Sequence, residues 1–177
     1  MEPSSPTIRP AIAGDAASLA TLAEHTFRDA FVATNSAADM AEHCASNYNE
    51  ALQQRDIADP KLAIHLCEQG DELVGFIQLR QVSSPACVAA LQPLEIQQLY
   101  VASAWHGKGV AHDLMAVALD TATSRAADRI WLGVWEDNPR AIKFYQKYGF
   151  AVVGEQTFML GTDKQRDLVM SRPRVLA

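Results

Sequence analysis

Apolar positions recur at helical spacing in the first third of the chain, before Pro60. Gly14-Asp15 favours the start of a helix with Asp15 as its N-cap, and a short strand is predicted at residues 7–10. A second, less regular helical region is predicted from about residue 36 to residue 57, ended by Asp59-Pro60. The apolar stripe of the first helix consists of Leu19, Leu22, Ala23, Thr26, Phe27, Ala30 and Phe31.

After Pro60 the pattern changes to that of strands, and helices then alternate with strands. Residues 62–68 and 72–82 predict a hairpin around Gln69-Gly70-Asp71. The other predicted elements are a strand at 94–101, a helix at 107–127, a strand at 129–135, a short helix from Asn138-Pro139 to Gly149, and closing strands at 150–153 and 167–170. This alternation predicts an α/β fold with a mixed sheet. We expect one domain at residues 7–172, between a flexible lead at 1–6 and a tail at 173–177.

Composition and charge argue against several classes of protein. The 177 residues carry a formal net charge of −6, whereas general nucleic-acid binders usually present a basic surface. No apolar run approaches the ~20 residues of a membrane span, and the N-terminus lacks the features of a signal peptide. Cys44, Cys67 and Cys87 have no close pairs, so neither a disulfide framework nor a zinc site fits them. We therefore expect a cytoplasmic protein without a metal ion.

A glycine-bearing turn joins the strand at 94–101 to the helix that follows. Helix N-termini expose unpaired backbone N–H groups, and glycines let such a backbone approach a phosphate closely. Gly107-Lys108-Gly109 therefore indicates a pyrophosphate-binding turn, with Lys108 as an additional cation. Alternatively, the two glycines simply allow a tight turn. The spacing matches neither the G-x-x-x-x-G-K-[ST] phosphate loop nor the G-x-G-x-x-G dinucleotide motif.

Two motifs in this order resemble the GNAT superfamily of acetyl-CoA-dependent N-acetyltransferases. His106-x-x-Gly109-x-Ala111 resembles that family's R/Q-x-x-G-x-G/A signature, with His106 departing from the usual Gln or Arg. The segment from Asn138 to Phe150 carries N-x-x-A-x-x-F-Y-x-x-x-G-F, which resembles the family's helix after the fifth strand. Three further stretches, at residues 26–31, 131–136 and 158–170, are similar to the PaiA-type polyamine acetyltransferases. The resemblance implies a mostly antiparallel twisted sheet, flanked by helices, whose fourth strand is bulged and splays from the fifth.

The resemblance also implies where acetyl-CoA binds as cosubstrate. The strand residues before the turn would offer backbone groups to the pantetheine and an N–H to the thioester carbonyl, and the turn would bind the diphosphate. The implied cofactor-binding residues are Leu99, Tyr100, Val101, His106, Gly107, Lys108, Gly109, Val110, Ala111, His112, Asn138, Ala141 and Tyr145.

Acetyl transfer to an amine requires a proton acceptor and a proton donor. An alkyl amine has a pKa near ~10.4, so the site must help to deprotonate it. Glu95 is the predicted base, and it shares a face with Leu99 and Val101 if its strand is regular. Alternatively, Glu95 is a structural ion-pair partner, or a chain of waters accepts the proton. Tyr145 matches the tyrosine that serves as general acid in the family. Alternatively, Tyr145 packs in the hydrophobic core with its aromatic neighbours Phe144 and Tyr148.

The acceptor is predicted to be a small amine, and the resemblance to the PaiA-type enzymes implies a polyamine such as spermidine or spermine. Phe27, Asp29, Phe31 and Glu95 are the predicted substrate-binding residues, and further carboxylates on the early helices are Glu24, Glu42 and Glu50. Solvated acidic faces and a core role for the two phenylalanines are the alternatives. Peptide amines, other small amines and a non-catalytic acetyl-CoA sensor are alternative functions. Dimers are common in this superfamily, so the resemblance also implies a homodimer.

Overall fold

One seven-stranded sheet forms the centre of the computed structural model, which describes residues 5–175. The strands are β1 (Thr7–Pro10), β2 (Leu62–Gln69), β3 (Glu72–Arg80), β4 (Pro93–Val101), β5 (Arg129–Trp135), β6 (Ala151–Leu160) and β7 (Asp163–Pro173). They lie in the order β1-β2-β3-β4-β5-β7-β6, and β4–β5 is the parallel pair among antiparallel neighbours. The predicted mixed α/β sheet is therefore confirmed. The predicted lead and tail lie partly outside the described residues.

Helices cover both faces of this sheet. They are α1 (Ala16–Phe31), α2 (Ala37–Asn47), α3 (Glu50–Ala58), α4 (Val110–Ser124) and α5 (Pro139–Lys147). The region predicted as one helix before Pro60 is split into α2 and α3. Asn49 explains the split, because its side chain accepts a hydrogen bond from the Leu52 amide at 2.9 Å and so caps a new helix.

The two faces of the sheet have separate hydrophobic cores. On one face, Leu114 and Met115 of α4 pack with Ile77, Leu79 and Ile130 of the strands. On the other face, α1 and α2 pack against the sheet through a cluster that contains Leu19, Phe27, Met40, Leu66 and Phe76. A molecule bound in an opening between two strands would therefore contact both cores.

An opening of this kind lies between β4 and β5. The two strands pair only through residues 93–95 and 129–131. Beyond Glu95, β4 continues along β3 to Val101, whereas β5 continues along β7 to Trp135. The backbone edge of β4 that faces β5 is thus without a strand partner over its last residues, in agreement with the splay that the resemblance implied.

A β-bulge at Gln97 changes which side chains share a face of β4. Gln78 of β3 opposes Gln98, whereas the next residue of β3, Leu79, opposes Ile96, so Gln97 is the additional residue. Ile96 before the bulge and Leu99 after it both pack in the α4 core. Glu95 consequently faces the α1–α2 side, and the expectation that it shares a face with Leu99 and Val101 is wrong because the strand is not regular.

The final two strands form a longer hairpin than the sequence pattern predicts. Most residues of their outer halves, between 155 and 168, are polar, so they lack the apolar alternation that reveals a buried strand. Gly161 turns the chain with a φ of +59°, and the Asp39 carboxylate accepts a hydrogen bond from the Thr162 amide at 2.8 Å. The tip of the hairpin is thereby attached to the start of α2.

Among residues 5–175, none of the helices combines the length and the apolar character that a membrane crossing requires. Cys44, Cys67 and Cys87 are all free thiols, and the first two are buried.

Candidate active site

The turn before α4 exposes several backbone amides. Gly107 and Gly109 have φ values of +76° and +90°, a conformation that glycine adopts without strain. Within the described part of the chain, the amides of Gly107, Gly109, Val110 and Ala111 have no hydrogen-bond acceptor. Together with the dipole of the 15-residue helix, they form a site suited to an anion.

A groove of about 400 Å³, the α4 groove, lies over these amides. Its opposite wall is α5, which contributes the cations Arg140, Lys143 and Lys147. The remaining lining residues are Val101, Trp105, His106, Gly107, Gly109, Val110, Ala111, His112 and Phe144. Free amides facing three cations can bind a group with more than one phosphate.

His106 connects the end of β4 to α5. Its Nε2 lies 2.8 Å from the Val101 carbonyl oxygen, and its Nδ1 lies 3.0 Å from Nη1 of Arg140. Because Arg140 can only donate, the arrangement fits a neutral ring that accepts at Nδ1 and donates from Nε2 to the carbonyl. The residue at the unusual position of the motif thus fixes Arg140 beside the groove.

A second groove of about 440 Å³, the β4–β5 cleft, continues from the α4 groove into the opening of the sheet. Both share Val101, His106, Ala111, Arg140 and Phe144. The other lining residues of the cleft are Thr26, Asp29, Ala30, Leu99, Tyr100, Ser103, Trp135, Asp137, Asn138, Ala141 and Tyr145. Tyr145 and Leu99 belong to the α4 core, whereas Tyr100 and Trp135 pack with the α1–α2 core. The cleft therefore joins the two faces of the sheet.

Tyr145 lies on the α4 side of this cleft. Its ring packs edge-on against Phe144 and Phe150, with centroids 5.4 and 5.8 Å away. Burial raises the pKa of its hydroxyl well above the usual value, so the group stays protonated at neutral pH. No described residue hydrogen-bonds to this hydroxyl, which leaves it available to a molecule in the cleft.

Asn138 positions the start of α5. Its side chain accepts a hydrogen bond from the Ala141 amide at 3.1 Å, and Pro139 occupies the first helical position. Asn138 also lines the cleft, so capping and contact with a bound molecule are compatible.

The α1 side of the cleft is acidic and aromatic. Asp29 and Asp137 line it together with the Trp135 ring, whose other contact is Phe31 at a centroid distance of 5.7 Å. Asp29 is 41% exposed and lies 3.5 Å from His25. This combination suits a cation with an alkyl portion.

Most of the predicted cofactor-binding residues line the two grooves. Lys108 is an exception, because its ammonium lies over the Trp105 ring, 4.7 Å from the centroid, and outside the lining of either groove. Of the predicted substrate-binding residues, Asp29 lines the cleft. Phe27 is 2% exposed and stacks on His43, and Phe31 is 9% exposed, so both lie in the core.

Glu95 lies where the β4–β5 pairing ends, but it lines neither groove. Its carboxylate is 2.7 Å from Nη2 of Arg80 and also accepts a hydrogen bond from Nε of that residue. Burial raises its pKa, and Arg80 opposes this effect. The contacts are those of the ion-pair alternative, and a role of Glu95 as base stays a prediction.

Sequence reasoning missed the cations of α5 and the aromatic wall of the cleft. Arg140, Lys143 and Lys147 are spaced three and four residues apart, which places them on one helix face and was a usable signal. Trp135 offered no comparable signal, because a tryptophan at the end of a buried strand is equally typical of a core.

Comparisons with known proteins agree with this geometry. The family described as acetyltransferase (GNAT) matches residues 22–150. An uncharacterized N-acetyltransferase of Mycobacterium tuberculosis (strain ATCC 25618 / H37Rv) is 34% identical over 161 residues, which are 91% of this chain and 99% of that protein.

Two solved structures share the fold across almost the whole chain. The PaiA N-acetyltransferase of Thermoplasma acidophilum, in complex with coenzyme A, gives a TM-score of 0.78 at 18% identity and covers 96% of this chain and 99% of that one. The spermidine/spermine N-acetyltransferase SpeG of Vibrio cholerae gives a TM-score of 0.67 at 23% identity and covers 97% of this chain and 94% of that one. At these identities the likeness shows the fold alone.

Proposed function

Since the chain belongs to the GNAT acetyltransferase family and is an acetyl-CoA-dependent N-acetyltransferase, we propose that its acceptor is a polyamine such as spermidine or spermine and that Tyr145 is the general acid. The observation that carries the proposal is the β4–β5 cleft. It reaches Tyr145 from one face of the sheet and Asp29, Trp135 and Asp137 from the other.

Acetyl-CoA fits the α4 groove by the chemistry of the groove's lining. Coenzyme A carries a diphosphate, which free amides at a helix N-terminus and cations on the facing helix bind. The unpaired edge of β4 offers backbone groups to an extended chain such as pantetheine. An amide among residues 99–101 would donate to the thioester carbonyl as negative charge develops on its oxygen.

Tyr145 acts on the departing sulfur in this proposal. A thiol has a pKa near ~8.5, so the thiolate benefits from a donor when the carbon–sulfur bond breaks. The hydroxyl of Tyr145 is protonated at neutral pH, lines the cleft and has no hydrogen-bond partner among the described residues. These properties support its role as the donor.

The acidic and aromatic side of the cleft supports a polycationic acceptor. An ammonium group binds favourably beside carboxylates and over an indole ring, and a polyamine has methylene segments that pack on aromatic surface. Asp29 and Asp137 offer two separate anionic partners. The net charge of −6 favours encounter with a polycation, and SpeG, which shares the fold, is named for spermidine and spermine.

A panel of amines tests the acceptor. Purified protein is incubated with acetyl-CoA and spermidine, spermine, putrescine, a lysine peptide or an amino acid, and the released thiol is measured. We expect the highest kcat/KM with spermidine or spermine. A preference for the peptide or the amino acid would replace the proposed acceptor class, and binding of the cofactor without thiol release from any amine would indicate a sensor.

A further inference from the structure

We propose that Asp167 of β7 is the proton acceptor for the ammonium group of the acceptor, acting through water across the α1 side of the β4–β5 cleft. The inference rests on the proposed function and assigns the base of the same reaction. It follows from the position of Asp167, from its lack of a partner and from its placement with Gln156 over the bare backbone of Gly133.

The strand register places Asp167 directly behind the lining of the cleft, next to Trp135, and a water is therefore needed to connect it with the acceptor. Asp167 of β7 is directly opposite Trp135 of β5, and directly opposite residues of an antiparallel pair present their side chains on the same face. Trp135 lines the cleft and packs with the α1–α2 core. The carboxylate is therefore on the acceptor side of the sheet, whereas Tyr145 is on the opposite side of the cleft.

The missing side chain of Gly133 gives Gln156 and Asp167 room over β5. A Cβ atom built on Gly133 would lie 3.3 Å from Oδ2 of Asp167 and 2.5 Å from Nε2 of Gln156. The two side chains thus extend over the bare backbone of β5, between Trp131 and Trp135. A side chain at position 133 would occupy the space next to the carboxylate.

Asp167 lacks a counter-charge. Its carboxylate has no hydrogen bond or ion pair within residues 5–175, unlike Glu95, which is held by Arg80. Burial raises the pKa of Asp167 from its usual value near 3.8 to about 6. The carboxylate is consequently ionised at pH 7 and is more basic than an ordinary aspartate, which suits proton transfer near neutral pH.

The titratable groups near Asp167 on β4 and α2 are neutral at pH 7, whereas the carboxylates of Asp29 and Asp137 line the same side of the cleft. From β4, the nearby titratable group is Tyr100, and its pKa is raised by burial and further by Tyr145 and by the charge of Asp167. From β6, the opposing residue is Gln156. From α2, His43 packs over Phe158, and burial lowers its pKa.

The polar and charged side chains near Asp167, on the hairpin and on α1, have other partners. Arg166 forms ion pairs with Glu136 and with Glu155 on the outer face. Gln165, on the face of Asp167, donates to Asn35 at 2.8 Å. Asp29, at the α1 wall of the cleft, lies near His25. Asp167 therefore titrates without a nearby ion-pair partner.

The proton balance assigns separate tasks to the two sides of the cleft. An alkylammonium group loses two protons when it becomes an amide. In the proposal, Asp167 takes the first through water and releases it to solvent, and the free amine then forms the bond to the acetyl carbon. The second proton passes from the nitrogen to solvent water as the carbon–sulfur bond breaks, while Tyr145 protonates the sulfur and is reprotonated from solvent, so that one proton is released overall.

The variant Asp167→Asn tests the assignment through the pH dependence of kcat at saturating spermidine. In the wild type we expect kcat to rise through about pH 6 and then level off. In Asp167→Asn we expect kcat at pH 7 to be about 100-fold lower and to keep rising towards pH 9, because hydroxide and solvent must then deprotonate the ammonium. The affinity for coenzyme A, measured by calorimetry, should be unchanged.

Two further variants separate the alternatives. Glu155→Gln removes a carboxylate from the neighbouring strand on the outer face and should keep the wild-type profile. A wild-type profile in Asp167→Asn would overturn the proposal. So would a uniform loss at every pH, which indicates a structural role, or a profile change seen instead in Glu95→Gln. Failure of the proposed function is distinct, because the wild type itself would then release no thiol with spermidine or spermine.

Discussion

At the scale of single residues, Tyr145 combines burial with access to the cleft. Its ring is fixed by Phe144 and Phe150, and its hydroxyl has no protein partner in the described structure. We expect Tyr145→Phe to keep this packing and to remove the proton donor. The kcat for thiol release should then fall at least tenfold, with little change in the dissociation constant for coenzyme A.

Stopped-flow measurement of thiol release and calorimetry of coenzyme A binding check this prediction. Tyr148→Phe is the comparison variant for kcat, because Tyr148 does not line the β4–β5 cleft and its hydroxyl lies 2.7 Å from Nδ1 of His112. Undiminished kcat in Tyr145→Phe would exclude the hydroxyl as the donor wherever thiolate departure limits the rate.

The raised pKa of Asp167 also predicts how the stability of the protein depends on pH. Its pKa is about 6 in the folded protein and near ~3.9 in an unfolded chain, so the folded state binds the proton more tightly. Its favourable contribution is present below pH 4 and is lost as the pH rises through 6. Asp167→Asn should therefore be more stable than the wild type at pH 7.5, by about 1–2 kcal/mol after allowance for the water that reaches the carboxylate.

Urea unfolding at pH 7.5 and pH 4.5 measures this difference, which should shrink at the lower pH. Glu155→Gln should show no such gain, because Glu155 is exposed and paired with Arg166. Equal stability of Asp167→Asn and the wild type at pH 7.5 would show that burial does not penalise the charge of Asp167.

Local motifs and long-range placement differ in how far the sequence predicts them. Gly109 and Asn138 were predictable because a turn with positive φ and a helix cap depend on a few neighbouring residues. The face occupied by Glu95 was not predictable, since a bulge depends on the partner strand. Asp167 was overlooked because the β5–β7 register that places it opposite Trp135 pairs residues more than thirty positions apart.

At the scale of elements, α5 has two functional sides. One side directs Tyr145 into the cleft, and the other directs Arg140, Lys143 and Lys147 towards the α4 groove. Helix periodicity sets the angle between the two sides. The nine-residue helix therefore fixes the position of the three cations relative to the hydroxyl of Tyr145.

We expect the double variant Lys143→Gln/Lys147→Gln to weaken coenzyme A binding about tenfold, because two exposed charges near phosphates contribute a few tenths to 1 kcal/mol each. The salt dependence of binding should fall as well. Lys164→Gln, at the hairpin distant from the groove, is the control. Calorimetry at two salt concentrations checks both effects, and an unchanged dissociation constant would remove the two lysines from the phosphate site.

The order of elements was largely predictable, and their limits less so. The strand–turn–helix at residues 93–124 was visible as a change of period around two glycines. The break between α2 and α3 depended on a cap by Asn49 that the apolar pattern conceals. The β6–β7 hairpin was underestimated because most residues of its outer half are polar.

At the scale of the whole molecule, a net charge of −6 coexists with a cationic α4 groove. The cosubstrate and the acceptor thus meet opposite local charges. For spermidine, kcat/KM should decrease as ionic strength rises from 0.05 to 0.5 M, and more steeply than for a monoamine, because screening reduces the attraction of a polycation most. Initial rates measured across this range of ionic strength test the prediction. An equal decrease of kcat/KM for both amines would argue against electrostatic capture of the polyamine.

The bulge at Gln97 has a consequence for how this chain can diversify. Because the extra residue at Gln97 resets the alternation of β4, Glu95 and Tyr100 face the α1–α2 side together, while Leu99 and Val101 pack on the α4 core. Substitutions on the α1–α2 side can therefore change the acceptor that is bound, while the residues on the α4 side that contact acetyl-CoA stay the same.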